Sequence, residues 1–198
     1  ATDSGILNVS KKAVTITVAD ASKTYGTADP TFTGTVDGLV SASDLGNITY
    51  SRTNNAENAG NYAGVLTADY NENKNYIVTV VPGNFEIKKA TMTVTATGYN
   101  AAYDGAAHTA SASASVTEGT TILYSTDDGR TWSKNAPTIT NFGTVNFKVK
   151  ATNPNYEDAF ASEILNVSKK EVTINVTAAS KTYGDADPTF TGTMSGLG

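Results

Sequence analysis

The chain has 198 residues, a formal net charge of −5, no cysteine and one histidine, His108. These counts exclude disulfides, thiolate metal sites, cysteine nucleophiles and any metal cluster built from several histidines. Twelve Lys and two Arg (Arg52 and Arg130) are scattered, giving no footprint for nucleic acid or an anionic membrane, and no apolar run approaches the ~18 residues that span a bilayer.

The chain holds 32 Thr and 18 Asn beside 17 Gly, while charged residues make up only 17%. Thr suits half-buried pleated surfaces, and Asn and Gly supply tight turns, so the composition points to a protein of many hairpins. In chain order, VTITVAD (Val14–Asp20) alternates with period two and predicts a half-buried strand. Thr31–Val36 follows as a strand after the turn GTADP. SASDL (Ser41–Leu45) carries Ser and Asp three apart, the signature of a capping box and one short helical turn. Strands are expected at Ile48–Arg52, Tyr62–Asp69, Tyr76–Val81 and Phe85–Lys88, separated by Asn- and Gly-rich turns. Further on, they are expected at Thr91–Thr97, His108–Ser115, Thr121–Ser125, Thr144–Ala151 and Phe160–Val167, with shorter ones at Thr131–Lys134 and Thr138–Thr140. No long stretch has the 3.6-residue apolar period of a helix. The fold class is all-β.

Residues 6–39 return as residues 164–197 with 7 differences in 34 positions. Such identity exceeds what a shared fold demands and reads as duplication. A fainter echo divides the repeat, because KKAVTITV at 11, KKATMTVT at 88 and KKEVTINV at 169 open three similar segments. The expected organisation is therefore residues 1–10 as the last strand of a preceding repeat, 11–88 and 89–168 as two unlike β modules, and 169–198 as the opening of a third. Each module has the size of an immunoglobulin-like sandwich.

Three motifs of the first module, KTYGTADPTFTG, NAGNY and NYIVTVVPGNFEIKKA, resemble the MBG domain of the YGX type. GYNAAYDGAAH, YSTDDGRTW and FGTVNFKVKATNPNY of the second resemble the YDG-containing Ig-like repeats that accompany such domains. The resemblance implies two tandem Ig-like β-sandwich modules, with a β-grasp-like arrangement as the alternative for the first. It also implies a non-catalytic repeat of an extracellular bacterial surface protein, an adhesin-type stalk or spacer. Residues 1–10 lack the features of a signal peptide, so export and anchoring signals are expected outside this segment.

YSTDDGRTW (Tyr124–Trp132) also matches the Asp-box pattern that recurs in bacterial sialidases. That box is a structural hairpin there, and two Arg in different modules cannot supply a sialidase site, so a glycoside-hydrolase role ranks last and no catalytic residue is assigned. Calcium at Asp127/Asp128 or at Asp69/Asn71/Glu72/Asn73 is weighed against ordinary turn capping, which is favoured; no cofactor is expected. An internal cross-link from Lys148 or Lys150 lacks a diagnostic motif. In both modules a matching corner occurs, NAGNY and NFGTV, where a loop tie by the Tyr62 hydroxyl is weighed against packing, which is favoured for Tyr62 and for Val145 in the matching place. The residues assigned to ligand-facing loops are Asn58, Asn61 and Tyr62 in the first module and Asp127, Asp128 and Arg130 in the second. Expected partners are neighbouring repeats, with host glycan or matrix protein as the alternative reading.

Overall fold

The computed structural model describes residues 4–197. Among them every regular element is a strand, and the fold is all-β. The chain divides into two compact units, one holding the residues up to Thr91 together with Pro154–Glu157, the other Met92–Asn153 and the residues from Asp158 onward.

The first unit begins with β1 (Lys12–Val18), whose alternation buries Val14, Ile16 and Val18 and leaves Thr15 and Thr17 in water. There follow β2 (Ala21–Thr24), β3 (Gly34–Asp37), β4 (Thr49–Arg52), β5 (Gly60–Asp69), β6 (Tyr76–Val81) and β7 (Gly83–Lys88). Two sheets form, in the orders β3-β1-β6 and β2-β7-β5-β4. β3 runs antiparallel to β1, with Ile16 opposite Val36, and β6 runs parallel on its other side, with Ile16 opposite Val80. Val14, Ile16, Val18 and Tyr76 of the first sheet share one core with Leu66, Ala68, Phe85 and Ile87 of the second. Each such large side chain contributes roughly 1.5–3 kcal/mol by leaving water.

Leu45 plugs this core from a loop and is fully buried. The helical turn expected at Ser41–Leu45 is a pair of turns instead. The Asp44 carboxylate does accept the Ser41 N–H at 3.1 Å, as a capping box requires. Gly46, at φ +69°, then bends the chain away, and the Asn71 N–H takes the Leu45 carbonyl at 2.9 Å. Among the described residues no helix lies across either sheet.

In the second unit the strands are β8 (Val94–Thr97), β9 (Tyr99–Ala102), β10 (His108–Thr109), β11 (Ser111–Ala114), β12 (Thr121–Ser125), β13 (Thr138–Ile139), β14 (Gly143–Asn153) and β15 (Tyr156–Ser168). A four-stranded sheet, β12-β14-β15-β9, is accompanied by the pairs β11-β8 and β10-β13. Phe147, Val149 and Ala151 of β14 and Leu165 and Val167 of β15 supply the buried face. The short strand expected at Thr131–Lys134 reduces to a single antiparallel bridge between Tyr124 and Ser133.

β2 and β9 were not expected from the sequence, and they occupy corresponding places. Each is a four-residue strand lying parallel to the late strand of its unit: Ala21–Thr24 against Phe85–Lys88, and Tyr99–Ala102 against Leu165–Ser168. β2 is mostly polar and β9 has one Asn beside Tyr and two Ala, so no clear period-two apolar pattern marks either; the neighbouring strand dictates their conformation. Finally β16 (Thr173–Val176) and β17 (Gly192–Ser195) make an isolated antiparallel pair whose residues are all exposed.

Candidate functional site

The two groups of loop residues assigned from the sequence fall in different units. In the first unit Tyr62, for which packing was favoured, also ties its corner: its hydroxyl donates to the Asn58 carbonyl at 2.8 Å, fastening the loop that leads into β5. The Asn58 side chain is already engaged, accepting from Asn155 Nδ2 at 3.2 Å, and Asn155 Oδ1 accepts the Ala59 N–H at 2.8 Å. Asn61, exposed like Asn58, sits at the rim of an open depression of 590 Å³ shared with Asp20, Asn84 and Glu86. The matching corner of the second unit has a half-buried Val145 in place of the tyrosine and so lacks a hydroxyl tie.

In the second unit Asp127 is spent on its own turn. Its carboxylate accepts the Ser125 hydroxyl at 2.7 Å, the Arg130 and Thr131 N–H groups at 3.1 and 2.9 Å, and the Thr131 hydroxyl at 2.5 Å. Ser125 Oγ in turn accepts the Gly129 N–H at 2.8 Å. The Thr131 hydroxyl, then the Thr131 amide and Ser125, hold the Asp127 carboxyl far below the usual carboxylate range. Asp128 sits at φ +65° and Gly129 at φ +89°, the left-handed pair that lets the chain reverse this tightly. Trp132 is half-buried rather than central: it packs on the exposed Phe160 ring, with centroids 6.2 Å apart, and would touch any Cβ placed on Gly129.

Asp128 pairs with Lys148 at 2.6 Å, and Lys150 with Asp158 at 2.8 Å, so both lysines weighed for a cross-link carry a carboxylate partner. Arg130 is exposed and in no ion pair among the described residues. It borders an open depression of 870 Å³ with Asp128, Asn146, Lys148 and Glu163. Asp127→Ala would leave two amides and two hydroxyls without their acceptor at a surface turn. The expected result is amide exchange at Gly129–Thr131 accelerated by about tenfold or more, with little change in the exchange of β14, since surface turns open locally. Hydrogen–deuterium exchange resolved by residue checks this.

The other residues weighed from the sequence serve local structure. His108 stacks on Tyr99, with centroids 3.4 Å apart, and its Nε2 lies 3.0 Å from Asp104 Oδ1, which also takes the Ala106 N–H. In the Asp69–Asn73 stretch, Asn73 Nδ2 donates to the Asp44 carbonyl at 3.0 Å and Asn73 Oδ1 accepts the Asn75 N–H. Among the described residues no three His, Asp or Glu side chains gather where they could hold a metal ion.

Sequence reasoning missed the most organised polar cluster, which lies in the first unit. Lys23 on β2 is buried and meets Asp29 at 2.9 Å and also Glu57. Arg52 on β4 meets Asp29 at 2.8 Å and Glu57 as well, and donates to the Ala56 carbonyl. Each carboxylate thus bridges both cations. The guanidinium lies over the Phe85 ring at 5.1 Å, which places the cluster against one end of the core. Burial alone would push the Asp29 carboxyl up, but hydrogen bonds from Lys23 and Arg52 outweigh it and hold it below its ordinary value. Hydrogen bonds from Lys23, then Arg52, do the same for Glu57, and those to Glu57, then Asp29, raise Lys23. A signal was present: Lys and Asp six apart recur in the repeat as Lys181 and Asp187, and there too they pair, at 2.6 Å.

No curated protein matches the chain. Among the described residues no helix is long and apolar enough to cross a membrane. A family model, the MBG domain of the YGX type, matches residues 14–86, from the buried Val14 of β1 to Glu86 of β7. MBG domains are repeat domains typical of bacterial surface proteins. The match begins and ends inside the strands that enclose the first core and takes in all four members of the charge cluster, so over residues 14–86 the chain is similar to the MBG domain of the YGX type.

Proposed function

We propose that the chain is a non-catalytic repeat segment of an extracellular bacterial surface protein and works as an adhesin-type stalk or spacer. The observation that carries this reading is the repeat itself. Two stretches 158 residues apart fold into the same hairpin in the same register, the first of them inside the stretch similar to the MBG domain (Thr15 opposite Asp37, Thr173 opposite Ser195). Copying of a whole structural unit suits a protein whose useful property is length, because each added module needs only its neighbours. Residues 89–168 are assigned in this proposal to a YDG-type Ig-like repeat alternating with the MBG module, and the adjoining repeats are its partners. Small-angle scattering of the full chain is expected to give a radius of gyration well above the ~16 Å of one compact globule of this length. A value near that figure would sink the spacer reading.

A second reading, recognition of host glycan or matrix protein through loops, is favoured by one observation: Asn61 and Arg130 are exposed at the rims of open depressions. It expects saturable binding on a glycan and matrix array that Asn61→Ala or Arg130→Ala removes. Selective binding insensitive to both changes would displace these loops as the contact surface.

A further inference from the structure

Phe160 stands on the watered side of its sheet. On β14 the alternation turns Phe147, Val149 and Ala151 inward and Asn146, Lys148 and Lys150 outward. Ser125 of β12 lies opposite Lys148, and Leu123 opposite Lys150, on the same outer face. On β15 Ala159, Leu165 and Val167 are buried, which places Phe160, Ser162 and Ile164 outward. Phe160 is 61% exposed there. Beside it lies Trp132, the only tryptophan of the chain, the two rings tilted by 56° with centroids 6.2 Å apart. Lys150 Nζ stands 5.8 Å from the Phe160 ring, its charge balanced by Asp158.

The tryptophan is held on both sides. Ser133 exchanges two backbone hydrogen bonds with Tyr124, at 2.7 and 2.9 Å, and Thr131 is tied to the Asp127 carboxylate. Rings fixed in advance offer contact area at little entropic cost. Polar groups adjoin them along the same face. Ser162 and Lys148, each two residues along its strand from Phe160 or Lys150, line the 870 Å³ depression together with Asn146, Ile164 and Arg130. Asn146 and Ser162 are exposed, and their side chains make no hydrogen bond among the described residues. Lys148 is balanced by Asp128, and Glu163 at the rim is turned onto the Ile164 N–H at 3.1 Å. The Arg130 guanidinium is the cation of this face that has no carboxylate partner among the described residues. Aromatic faces beside a few unspent polar groups are the makings of a ligand site, and a guanidinium is matched in shape and charge by a carboxylate.

We propose that Trp132, Phe160 and the adjoining depression form a binding site for a β-linked glycan that carries a uronic acid. Equatorial linkages leave the flat C–H faces of each sugar open, and these lie on the two rings, whose mutual tilt suits successive residues of a twisted chain. A uronic carboxylate meets the Arg130 guanidinium in a two-point contact, while Asn146 and Ser162 take hydroxyls. The site rests on the second reading above, recognition of a glycan, and moves the main contact from the loop tips to the sheet face.

The test follows Trp132 emission while the full chain is titrated with three hexasaccharides. Hyaluronan and unsulfated chondroitin alternate an amino sugar with a uronic acid; chitohexaose has the amino sugar and no carboxylate. A saturable shift is expected with the first two, at an affinity about tenfold or more above that for chitohexaose. Phe160→Ala, at an exposed position, is expected to weaken binding by about tenfold or more and leave amide exchange in β14 unchanged. Arg130→Gln is expected to bring the acidic sugars down to the level of chitohexaose. No saturable shift with any of the three, or binding indifferent to Phe160→Ala, would overturn the site, and equal binding of acidic and neutral sugars would overturn the uronic assignment. Selective binding on the glycan array that Asn61→Ala removes and Phe160→Ala spares leaves loop recognition standing and removes only the sheet-face site. An array silent throughout removes both.

Discussion

Ile16→Ala is expected to destabilise the first unit by about 2–5 kcal/mol, while Ile174→Ala, the same change at the same place in the repeated hairpin, is expected to change stability by no more than about 0.5 kcal/mol. The local sequences are nearly identical and the hairpin registers match, so strand propensity and pairing cancel between the two substitutions. What remains is tertiary. Ile16 is fully buried in a cluster with Val18, Leu66 and Phe85, and its loss leaves a cavity that a close-packed core fills only in part. Ile174 is 64% exposed, and alanine there gives up little contact. The only tryptophan, Trp132, belongs to the second unit, so its fluorescence reports that unit during denaturant unfolding. Circular dichroism and exchange at β1 report the first. Ile16→Ala should lower the midpoint seen by the latter probes and leave the fluorescence midpoint in place. Equal effects of the two substitutions would mean that the second hairpin is buried in solution.

The same contrast explains which parts of the fold could be read from the sequence. β6 and β12 lie where period two and the flanking turns put them, and the inward face of β1 is the apolar half of VTITV. The Asp127 turn was visible because an Asp-Asp-Gly reversal is local chemistry acting over four or five residues, whereas the Tyr62 corner was visible but its hydroxyl tie ranked behind packing. β2 and β9 were invisible for the opposite reason: their partners lie some 65 residues onward, at Phe85–Lys88 and Leu165–Ser168. Leu45 was read as the end of a helical turn because the capping signal is real; Gly46 and the Asn71 amide decide the outcome. The charge cluster joins residues 23, 29, 52 and 57, and only its Lys–Asp half is local enough to leave a trace in the repeat.

That cluster yields the second large effect. Arg52→Ala is expected to destabilise the first unit by about 1–3 kcal/mol. The loss of one member of a buried pair ordinarily costs more, roughly 3–5 kcal/mol. Here Asp29 and Glu57 keep 32% and 58% of their side chains in water, which resolvates them when the guanidinium is gone. The dependence on pH separates charge from packing. Both carboxyls are held below their ordinary values of 3.8 and 4.5, so their contribution is complete above those values and is lost as pH falls through the depressed values of the folded state. Lys23 is raised above 10.5, so its contribution is complete below that value and is lost as pH rises through its higher value in the folded state. Thermal unfolding of the native chain and of Arg52→Ala, measured from pH 7 downward, should therefore converge as the carboxylates take up protons, because Arg52 then has nothing charged to hold. A gap of constant size across the acid range would assign the role of Arg52 to its stacking on Phe85, and the four charges would then be a surface closure rather than the clasp of the core.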